Sequence, residues 1–340
     1  MDLNINYTFN DKLREKLESS EDVTEYLKRL RDQLEEVKEP KTRIRVLGQI
    51  GFYQRILNLL CESEETLNEA LVIIEQFKFD YNYWIPIGIK LAHTYQWQRK
   101  FIKAETMLND IIERCEKIEL MKQYLHFAYQ HIGKIYFDQM KYELALEQFE
   151  KAHKIRNEIC DFELIKSSEL AIKVTQERIK YFNQFQIIEI LNPEEKSKIC
   201  FDILNYLPNW FGISQAILDY KEGVKLQDFL VIKKDDQALG FISLKEHFPK
   251  SSCEIYVMGL QEEYQNKGLG SWLLVNAEDL ARDRKYQFLS VKTLSAFRPD
   301  QYYGLTRKFY FTNGFKPLEE FKTLWDESNP CLLMIKSLNI

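Results

Sequence analysis

The chain has 340 residues, which is long enough for two domains, and 45% of them are hydrophobic while 29% are charged. This composition provides the apolar surface that packed cores need, and it excludes an intrinsically disordered chain. The formal net charge is −5 and both halves are close to neutral, so we expect no nucleic acid and no anionic membrane as a partner.

The start of the chain and the spacing of its cysteines indicate a compartment. The first residues, MDLNINYTFNDKL, lack the basic and then apolar segment of a signal peptide. No apolar run approaches the roughly 18 residues of a membrane span. The six cysteines lie far apart without a C-x-x-C pair, which favours a reducing compartment over a disulfide framework or a zinc site. We therefore expect a cytoplasmic protein that uses no metal.

The N-terminal half is predicted to be helical and repetitive. Segments that begin at Leu91 and Ile132 carry small, aliphatic and aromatic residues at the same offsets, and they start 41 residues apart. One further step back reaches Ile50, where we expect an insertion to separate the first helix of that repeat from a second helix around Ala70. Each repeat is therefore predicted to be a pair of antiparallel helices whose small residues let the backbones approach closely.

This pattern resembles the tetratricopeptide repeat (TPR), most closely over residues 126–159. The resemblance covers about residues 40–185 and implies about three repeats, with capping helices at 11–38 and 162–184. We expect a TPR-like solenoid, domain 1–185, whose concave surface holds a peptide or protein partner. The alternative is a generic helical bundle, and we find no catalytic constellation in this half.

From residue 186 onward, short apolar strands alternate with helices. The predicted order is strand, two helices, three strands, helix, strand, helix and two strands. This order predicts one α/β domain with a mixed sheet over residues 186–340. The fold class of the whole chain is therefore multidomain, α followed by α/β.

The segment QEEYQNKGLGSWLL carries the strongest chemical signal in this half. Gly268 and Gly270 lie at the opening of the third predicted helix, where backbone N–H groups unobstructed by side chains can hold a pyrophosphate. The segment is not a Walker loop, because no Gly-Lys-Ser/Thr follows. It is also not the dinucleotide-binding G-x-G-x-x-G motif, because Leu273 stands at the third glycine position.

At this point the sequence resembles the GNAT superfamily of acyl-CoA-dependent N-acetyltransferases. Residues 265–270, QNKGLG, match its Q/R-x-x-G-x-G/A motif, and residues 309–315, FYFTNGF, match the F-Y-x-x-x-G-F end of its fourth helix. The resemblance covers about residues 187–338 and implies the GNAT fold. It also implies acetyl-CoA as donor co-substrate and an amine-bearing acceptor, which is a small molecule, a peptide or a protein.

The resemblance implies two catalytic residues, each with a structural alternative. Glu254 lies where some members of the family hold a general base, and Tyr310 matches the tyrosine that protonates the departing CoA thiolate. Glu254 is equally interpreted as a strand residue paired with a lysine, with water taking the amine proton. Tyr310 has the alternative of a packed core aromatic. We also expect Gly259 to form a β-bulge that splays the sheet.

The resemblance further implies a set of residues that contact acetyl-CoA. These are Met258, Leu260, Gln265, Asn266, Lys267, Gly268, Leu269, Gly270, Ser271, Tyr303 and Arg307. Tyr303 departs from the family pattern, because many relatives carry asparagine at this position. Arg307 has the alternative of a plain surface charge.

Two functional hypotheses follow from these observations. The first is an acetyl-CoA-dependent N-acetyltransferase that moves acetyl directly to a primary amine, with the TPR-like domain recruiting a substrate or partner. The alternative is a peptide- or protein-binding regulator whose GNAT domain senses CoA or is inert. The intact glycine loop, together with Glu254 and Tyr310, favours the enzyme.

Overall fold

The computed structural model describes residues 7–247 and 251–338, and the chain divides into two compact units. Unit 1 covers Met1–Lys180 and unit 2 covers Tyr181–Asn339. The division lies a few residues before the boundary that the sequence predicts at residues 185 and 186.

Unit 1 begins with a two-stranded antiparallel hairpin and continues as helices only. The hairpin consists of β1 (Tyr7–Phe9) and β2 (Glu15–Leu17). The helices are α1 (Ser20–Glu36), α2 (Pro40–Ile56), α3 (Leu60–Gln76), α4 (Tyr81–Trp97), α5 (Phe101–Lys117), α6 (Leu125–Asp138), α7 (Tyr142–Ile159) and α8 (Phe162–Phe182), the last of which continues into unit 2. Side-chain caps and a first-turn proline explain several starts: Ser19 caps α1, Asp80 caps α4 and Pro40 opens α2.

The helices of unit 1 follow the 41-residue period of the sequence. Helices α3, α5 and α7 begin 41 residues apart, and each packs against the helix before it. The loop before each of them contains one residue with a positive φ, and these residues keep the same period: Asn58, Arg99 and Met140. The helix pairs are therefore present, while their assignment to the tetratricopeptide type stays a prediction.

Close backbone contact within two helix pairs depends on glycine. A Cβ at Gly51 would lie 2.5 Å from Leu67, and a Cβ at Gly133 would lie 2.5 Å from Phe149. The predicted insertion in the first repeat is wrong, because α3 starts at the same spacing as α5 and α7. Ser63 takes the place of an alanine in the other two pairs, which hid the register, and its hydroxyl donates to the Gly51 carbonyl at 2.7 Å.

Unit 2 is a seven-stranded mixed sheet with helices, and its element order is the one that the sequence predicts. The strands lie in the order β3-β4-β5-β6-β7-β9-β8, and β6 with β7 is its parallel pair. The elements are β3 (Gln186–Glu189), α9 (Pro193–Asn205), α10 (Ser214–Gly223), β4 (Asp228–Lys234), β5 (Gln237–Glu246), β6 (Ser252–Leu260), α11 (Leu269–Asp283), β7 (Phe288–Leu294), α12 (Gln301–Thr312), β8 (Lys316–Asp326) and β9 (Asn329–Ser337).

Helices α9 and α10 cover one face of this sheet. Ile203 and Leu204 of α9 pack in one buried cluster with Phe229, Phe241 and Val257 from the strands. The rings of Phe229 and Phe241 stack at 4.9 Å between centroids. Four consecutive residues of β4 are buried, which explains its continuous apolar run: both faces of the strand are covered.

The predicted capping helix at 11–38 is wrong at its start. α1 begins only at Ser20, and the residues before it form the hairpin. The Asn10 side chain accepts from the amides of Lys12 and Arg14 at 2.9 and 3.1 Å, which folds a turn instead of a helix. Leu13 adopts a φ of 56° in that turn and is buried. The other predicted cap, 162–184, agrees with α8.

One carboxylate attaches the hairpin to the helices. Glu15, with 6% of its side chain exposed, accepts from both terminal nitrogens of Arg55 at 3.0 and 3.2 Å. Lys134 Nζ and His93 Nε2 each lie 4.0 Å from an oxygen of Glu15. Burial by itself raises the pKa of Glu15, but the Lys134 and Arg55 charges outweigh it and lower the pKa to about 2.

We expect Glu15→Gln to destabilise unit 1 by about 3 kcal/mol at pH 7, the equivalent of lowering the carboxyl pKa from 4.5 to about 2. Because the folded-state pKa is depressed, the stabilisation is complete above pH 4.5 and is lost as the pH falls towards 2. Urea unfolding of the full chain, followed by far-ultraviolet circular dichroism at several pH values, measures this difference. Glu18→Gln, at an exposed position nearby, is the control, and equal stability of the two variants at pH 7 would contradict the assignment.

Candidate functional site

The sheet of unit 2 opens between β6 and β7. These strands pair over Ser252–Ile255 and Phe288–Val291, and their pairing stops there. β6 stays paired with β5 as far as Leu260, and β7 stays paired with β9 as far as Leu294. The edges beyond the parallel segment therefore have a partner on one side only, and a β-strand edge of this kind can bind an extended ligand.

The β-bulge beside this opening lies at Tyr256, so its predicted position at Gly259 is wrong. Gly259 pairs in register with Phe241, whereas the register between β5 and β6 shifts where Tyr256 is the additional residue. The reason is packing against the helices. The Tyr256 hydroxyl would lie 2.2 Å from a Cβ at Gly223, and a Cβ at Gly259 would lie 3.0 Å from Ile203 of α9.

The predicted phosphate loop lies between the end of β6 and the start of α11. Gly268 is the N-cap of α11 with a φ of 88°, a conformation that glycine adopts without strain. No side chain caps this helix, so the backbone N–H groups of its first turn can bind an anion. The Gln265 amide donates to the Leu260 carbonyl at 2.8 Å and thereby fixes the loop to the end of β6.

Gly270 brings three elements of the predicted site together. A Cβ at this position would lie 3.4 Å from Phe309 of α12, 3.7 Å from Met258 and 3.8 Å from Leu260 of β6. The start of α11, the start of the motif on α12 and the free edge of β6 are thus neighbours. Leu269 is fully buried, so only its backbone can face a ligand.

Other residues of the loop are open to solvent. Asn266 and Lys267 are exposed, and Asn266 has a positive φ of 57°. The Lys267 ammonium lies 5.8 Å from the centre of the Tyr264 ring. Ser271 is half-buried in the first turn of α11.

Glu254 lies at the last part of the parallel segment, next to the opening, and combines both interpretations from the sequence. It is 7% exposed, and both of its oxygens accept from Lys292 Nζ on β7 at 2.8 Å. His247 Nε2 lies 3.3 Å from one of these oxygens. The side chain is thus paired with a lysine, yet it is a buried carboxylate linked to a half-exposed histidine and not a solvated one.

Tyr310 lies on α12 with its ring buried between Phe309 and Phe315, at 5.2 and 5.3 Å between ring centres. Burial raises the pKa of Tyr310 well above the usual range, and Tyr220 and Tyr303 add to this effect. The hydroxyl therefore keeps its proton at neutral pH. None of the described residues forms a hydrogen bond with it.

The remaining predicted residues of α12 have structural contacts. The Tyr303 hydroxyl donates to the Trp210 carbonyl at 2.8 Å and so connects α12 with the segment between α9 and α10. Arg307 donates to the carbonyl of Leu294 at 2.7 Å, at the end of β7. Arg307 therefore lies beside the opening, while the Tyr303 hydroxyl is occupied by a backbone acceptor.

The sequence analysis missed two residues of the charge cluster, Lys292 and His247. Lys292 is the one charged residue in the strand FLSVKTL, and a charge within a buried strand requires a partner. That signal could have identified it. His247 follows β5 in a loop, and nothing in its sequence context distinguishes it.

Elsewhere in unit 2, a cavity of about 590 Å³ lies between α9 and the β4–β5 turn. Phe201, Tyr206 and Gln237 are among its lining residues, and it includes none of the predicted site residues. Within the ranges that the structure describes, no group of three His, Cys, Asp or Glu side chains could hold a metal ion. No helix in those ranges is long and apolar enough to cross a membrane.

Comparison with known proteins identifies the central part of unit 2. The model of the acetyltransferase (GNAT) family matches residues 197–301. This range includes β4 to β7 and α11, while most of α12, with Arg307 and Tyr310, lies beyond it. No curated protein matches the chain.

Several solved structures are similar to part of the chain. A GNAT-family acetyltransferase from Desulfovibrio desulfuricans is 14% identical, with 45% of this chain and 99% of that chain covered at a TM-score of 0.40. An aminoglycoside 6'-N-acetyltransferase in complex with coenzyme A is 15% identical, with 46% and 98% covered at a TM-score of 0.38. A GNAT-family acetyltransferase from Elizabethkingia anophelis with acetyl-CoA bound is 17% identical, with 46% and 99% covered at a TM-score of 0.36. On the strength of the family match, the chain contains a GNAT acetyltransferase domain at residues 197–301.

Proposed function

We propose that the protein is an acetyl-CoA-dependent N-acetyltransferase that moves acetyl directly to a primary amine. One observation carries this proposal: the opening between β6 and β7 has the Gly268 loop at one end and the Glu254–Lys292 pair at the other. An extended donor and a proton acceptor can thus meet in one place. The GNAT domain at residues 197–301 supports the same reaction class.

The residues present fit the donor. The left-handed Gly268 and the uncapped first turn of α11 offer backbone N–H groups for a pyrophosphate over residues 265–271. The free edge of β6 from Met258 to Leu260 offers backbone groups for the pantetheine arm. Acetyl-CoA, when bound, supplies an acetyl group activated as a thioester.

Glu254 and Tyr310 handle the protons. Glu254 takes a proton from the acceptor amine, either directly or through water, so that the nitrogen can attack the thioester carbonyl. His247, in contact with Glu254 and 34% exposed at its side chain, can then pass that proton to solvent. Tyr310 keeps its own proton at neutral pH and donates it to the departing thiolate.

The acceptor is an amine-bearing small molecule, peptide or protein, and we assign its recruitment to the helix pairs of unit 1. We place the enzyme in the cytoplasm. The alternative of a regulator with an inert acetyltransferase fold is not favoured, because the loop glycines, Glu254 and Tyr310 are all present.

The double variant Gly268→Val, Gly270→Val should bind acetyl-CoA at least tenfold more weakly. At Gly268 a β-branched residue cannot keep a φ of 88° without strain, and at Gly270 the side chain would meet Phe309 and Met258. Calorimetry with the full chain measures the affinity. Gly212→Ala is the control, because a Cβ there would lie 3.5 Å from its nearest neighbour, the Pro208 carbonyl. Unchanged affinity in a folded double variant would rule out this loop as the donor site.

Tyr310→Phe should lower the single-turnover rate about 100-fold while the affinity for acetyl-CoA stays the same, because only a proton donor is removed. The rate is measured as thiol release with a panel of polyamines, aminoglycosides and peptides as acceptors. Tyr302→Phe on the same helix, where the ring packs on Trp210 at 4.9 Å, should leave the rate unchanged. If Tyr310→Phe matches the wild type when chemistry limits the rate, Tyr310 is a packing residue.

Glu254→Gln should shift the pH–rate profile, because the amide cannot accept the amine proton and a higher pH is then needed to deprotonate the acceptor. We expect a rise of the rate with pH that starts later than in the wild type, with the KM for acetyl-CoA unchanged. Glu319→Gln, at an exposed position on β8, serves as control. A profile identical to the wild type would mean that water alone takes the proton.

A further inference from the structure

Helices α2, α4 and α6 of unit 1 present one common face, here called the α2–α4–α6 face. It carries Arg55, His93, Trp97, His131 and Lys134. His93 and Lys134 lie 41 residues apart and occupy the same repeat position on α4 and α6. The repeat thus places polar and cationic side chains in equivalent positions along successive helices.

This face holds more positive charge than the helices themselves compensate. Arg55 is 1% exposed, and Lys134 is 5% exposed. Lys90, one repeat before His131, forms no ion pair among the described residues, and burial lowers its pKa. The carboxylate shared by Arg55 and Lys134 comes from outside the helices: it is Glu15 of the hairpin.

The hairpin is held on this face by ionic and aromatic contacts. Besides Glu15, Arg14 pairs with Asp138 at 3.0 Å and lies 5.1 Å from the centre of the Trp97 ring. Lys134 Nζ lies 4.9 Å from the centre of the Phe9 ring. Phe9 and Glu15 are directly opposite each other in the hairpin register, so a ring and a carboxylate contact the face side by side.

The hairpin leaves buried polar groups of the face without partners. In the described part of the chain, His93 Nε2, His131 Nδ1 and Trp97 Nε1 are buried and form no hydrogen bond. Buried groups of this kind are costly. A ligand with further hydrogen-bonding groups would satisfy the face better than the hairpin does.

The helices also have cores that do not include the hairpin. Three buried apolar clusters of α1 to α6 contain no residue from 7–17. Each strand of the hairpin has three residues, and a two-stranded hairpin of that size is at best marginally stable by itself. Its attachment therefore depends on the contacts of Glu15, Arg14 and Phe9, with Leu13 as a buried apolar residue.

We propose that the α2–α4–α6 face is a binding site for an extended acidic segment of another protein, and that residues 7–17 occupy it in cis until such a segment displaces them. The segment presents a carboxylate for Arg55 and Lys134, an aromatic ring beside it, and backbone or side-chain groups for His93 and Trp97. This inference rests on the recruiting role proposed for unit 1. Its readout is peptide binding, which does not depend on acetyl transfer.

The test uses the full chain and a fluorescein-labelled peptide, YTFNDKLREKLES, which copies residues 7–19. Arg14→Ala in the protein removes the Asp138 pair and the Trp97 contact of the hairpin, while Arg55, Lys134 and Glu15 stay in place. The added peptide carries the missing arginine and should therefore compete with the weakened hairpin. We expect fluorescence anisotropy to show at least tenfold tighter binding to Arg14→Ala than to the wild type.

Matched controls separate site-specific binding from general attraction. Arg31→Ala removes an exposed arginine of α1 and should bind the peptide as weakly as the wild type. A peptide with glutamine for Glu15 should bind Arg14→Ala at least tenfold more weakly than the parent peptide, whereas glutamine for Glu18 should have little effect. Binding should also weaken as salt is added, because its main contacts are ionic.

Two results would overturn the proposal. One is the absence of peptide binding to folded Arg14→Ala, or binding that ignores the Glu15 change in the peptide. The other is loss of cooperative unfolding in Arg14→Ala, which would show that the hairpin belongs to the structural core of unit 1. The peptide substitutions leave the protein unaltered, so they decide the question even where a further protein variant fails to fold.

Discussion

The parting of β6 and β7 is the feature on which the candidate site depends. Parallel pairing ends at Ile255 and Val291, and the additional residue Tyr256 follows at once. The bulge lets β6 remain in register with β5 while it leaves β7. Glu254 and Lys292 bridge the two strands just where they separate, so one ion pair lies at the apex of the opening.

The position of α12 follows from the same sheet. Arg307 binds the last carbonyl of β7, Tyr303 binds the Trp210 carbonyl, and the Trp210 indole donates to Thr306 at 3.2 Å. These contacts hold the helix from both sides of the opening. Tyr310 can therefore have a fixed place relative to the strands although it lies beyond the range of the family match.

Local patterns predicted much of this fold, and long-range packing explains the rest. The element order of unit 2 follows from apolar runs, caps and turns that act over a few residues. The bulge could not be placed, because Gly259 satisfies α9 whereas Tyr256 is displaced towards α10, and both effects come from distant chain segments. The loop glycines were readable because a positive φ demands glycine at Gly268 itself.

The N-terminal hairpin shows the same limit from another side. Its charged residues read as a continuation of α1, because alternating charge also suits a solvated helix. Only the neighbouring helices reveal that Glu15 answers Arg55, forty positions further along the chain. Buried ion pairs between distant positions leave no periodic signal in a sequence.

A short tether joins the hairpin to the first helix. Only Glu18 and Ser19 separate β2 from α1, so the local concentration of the hairpin at its own binding face is on the order of millimolar. An incoming segment competes against this intramolecular ligand and not against solvent. Weak acidic sequences that are abundant in a cell are thereby kept out, and the face responds only to a partner whose intrinsic affinity exceeds that threshold.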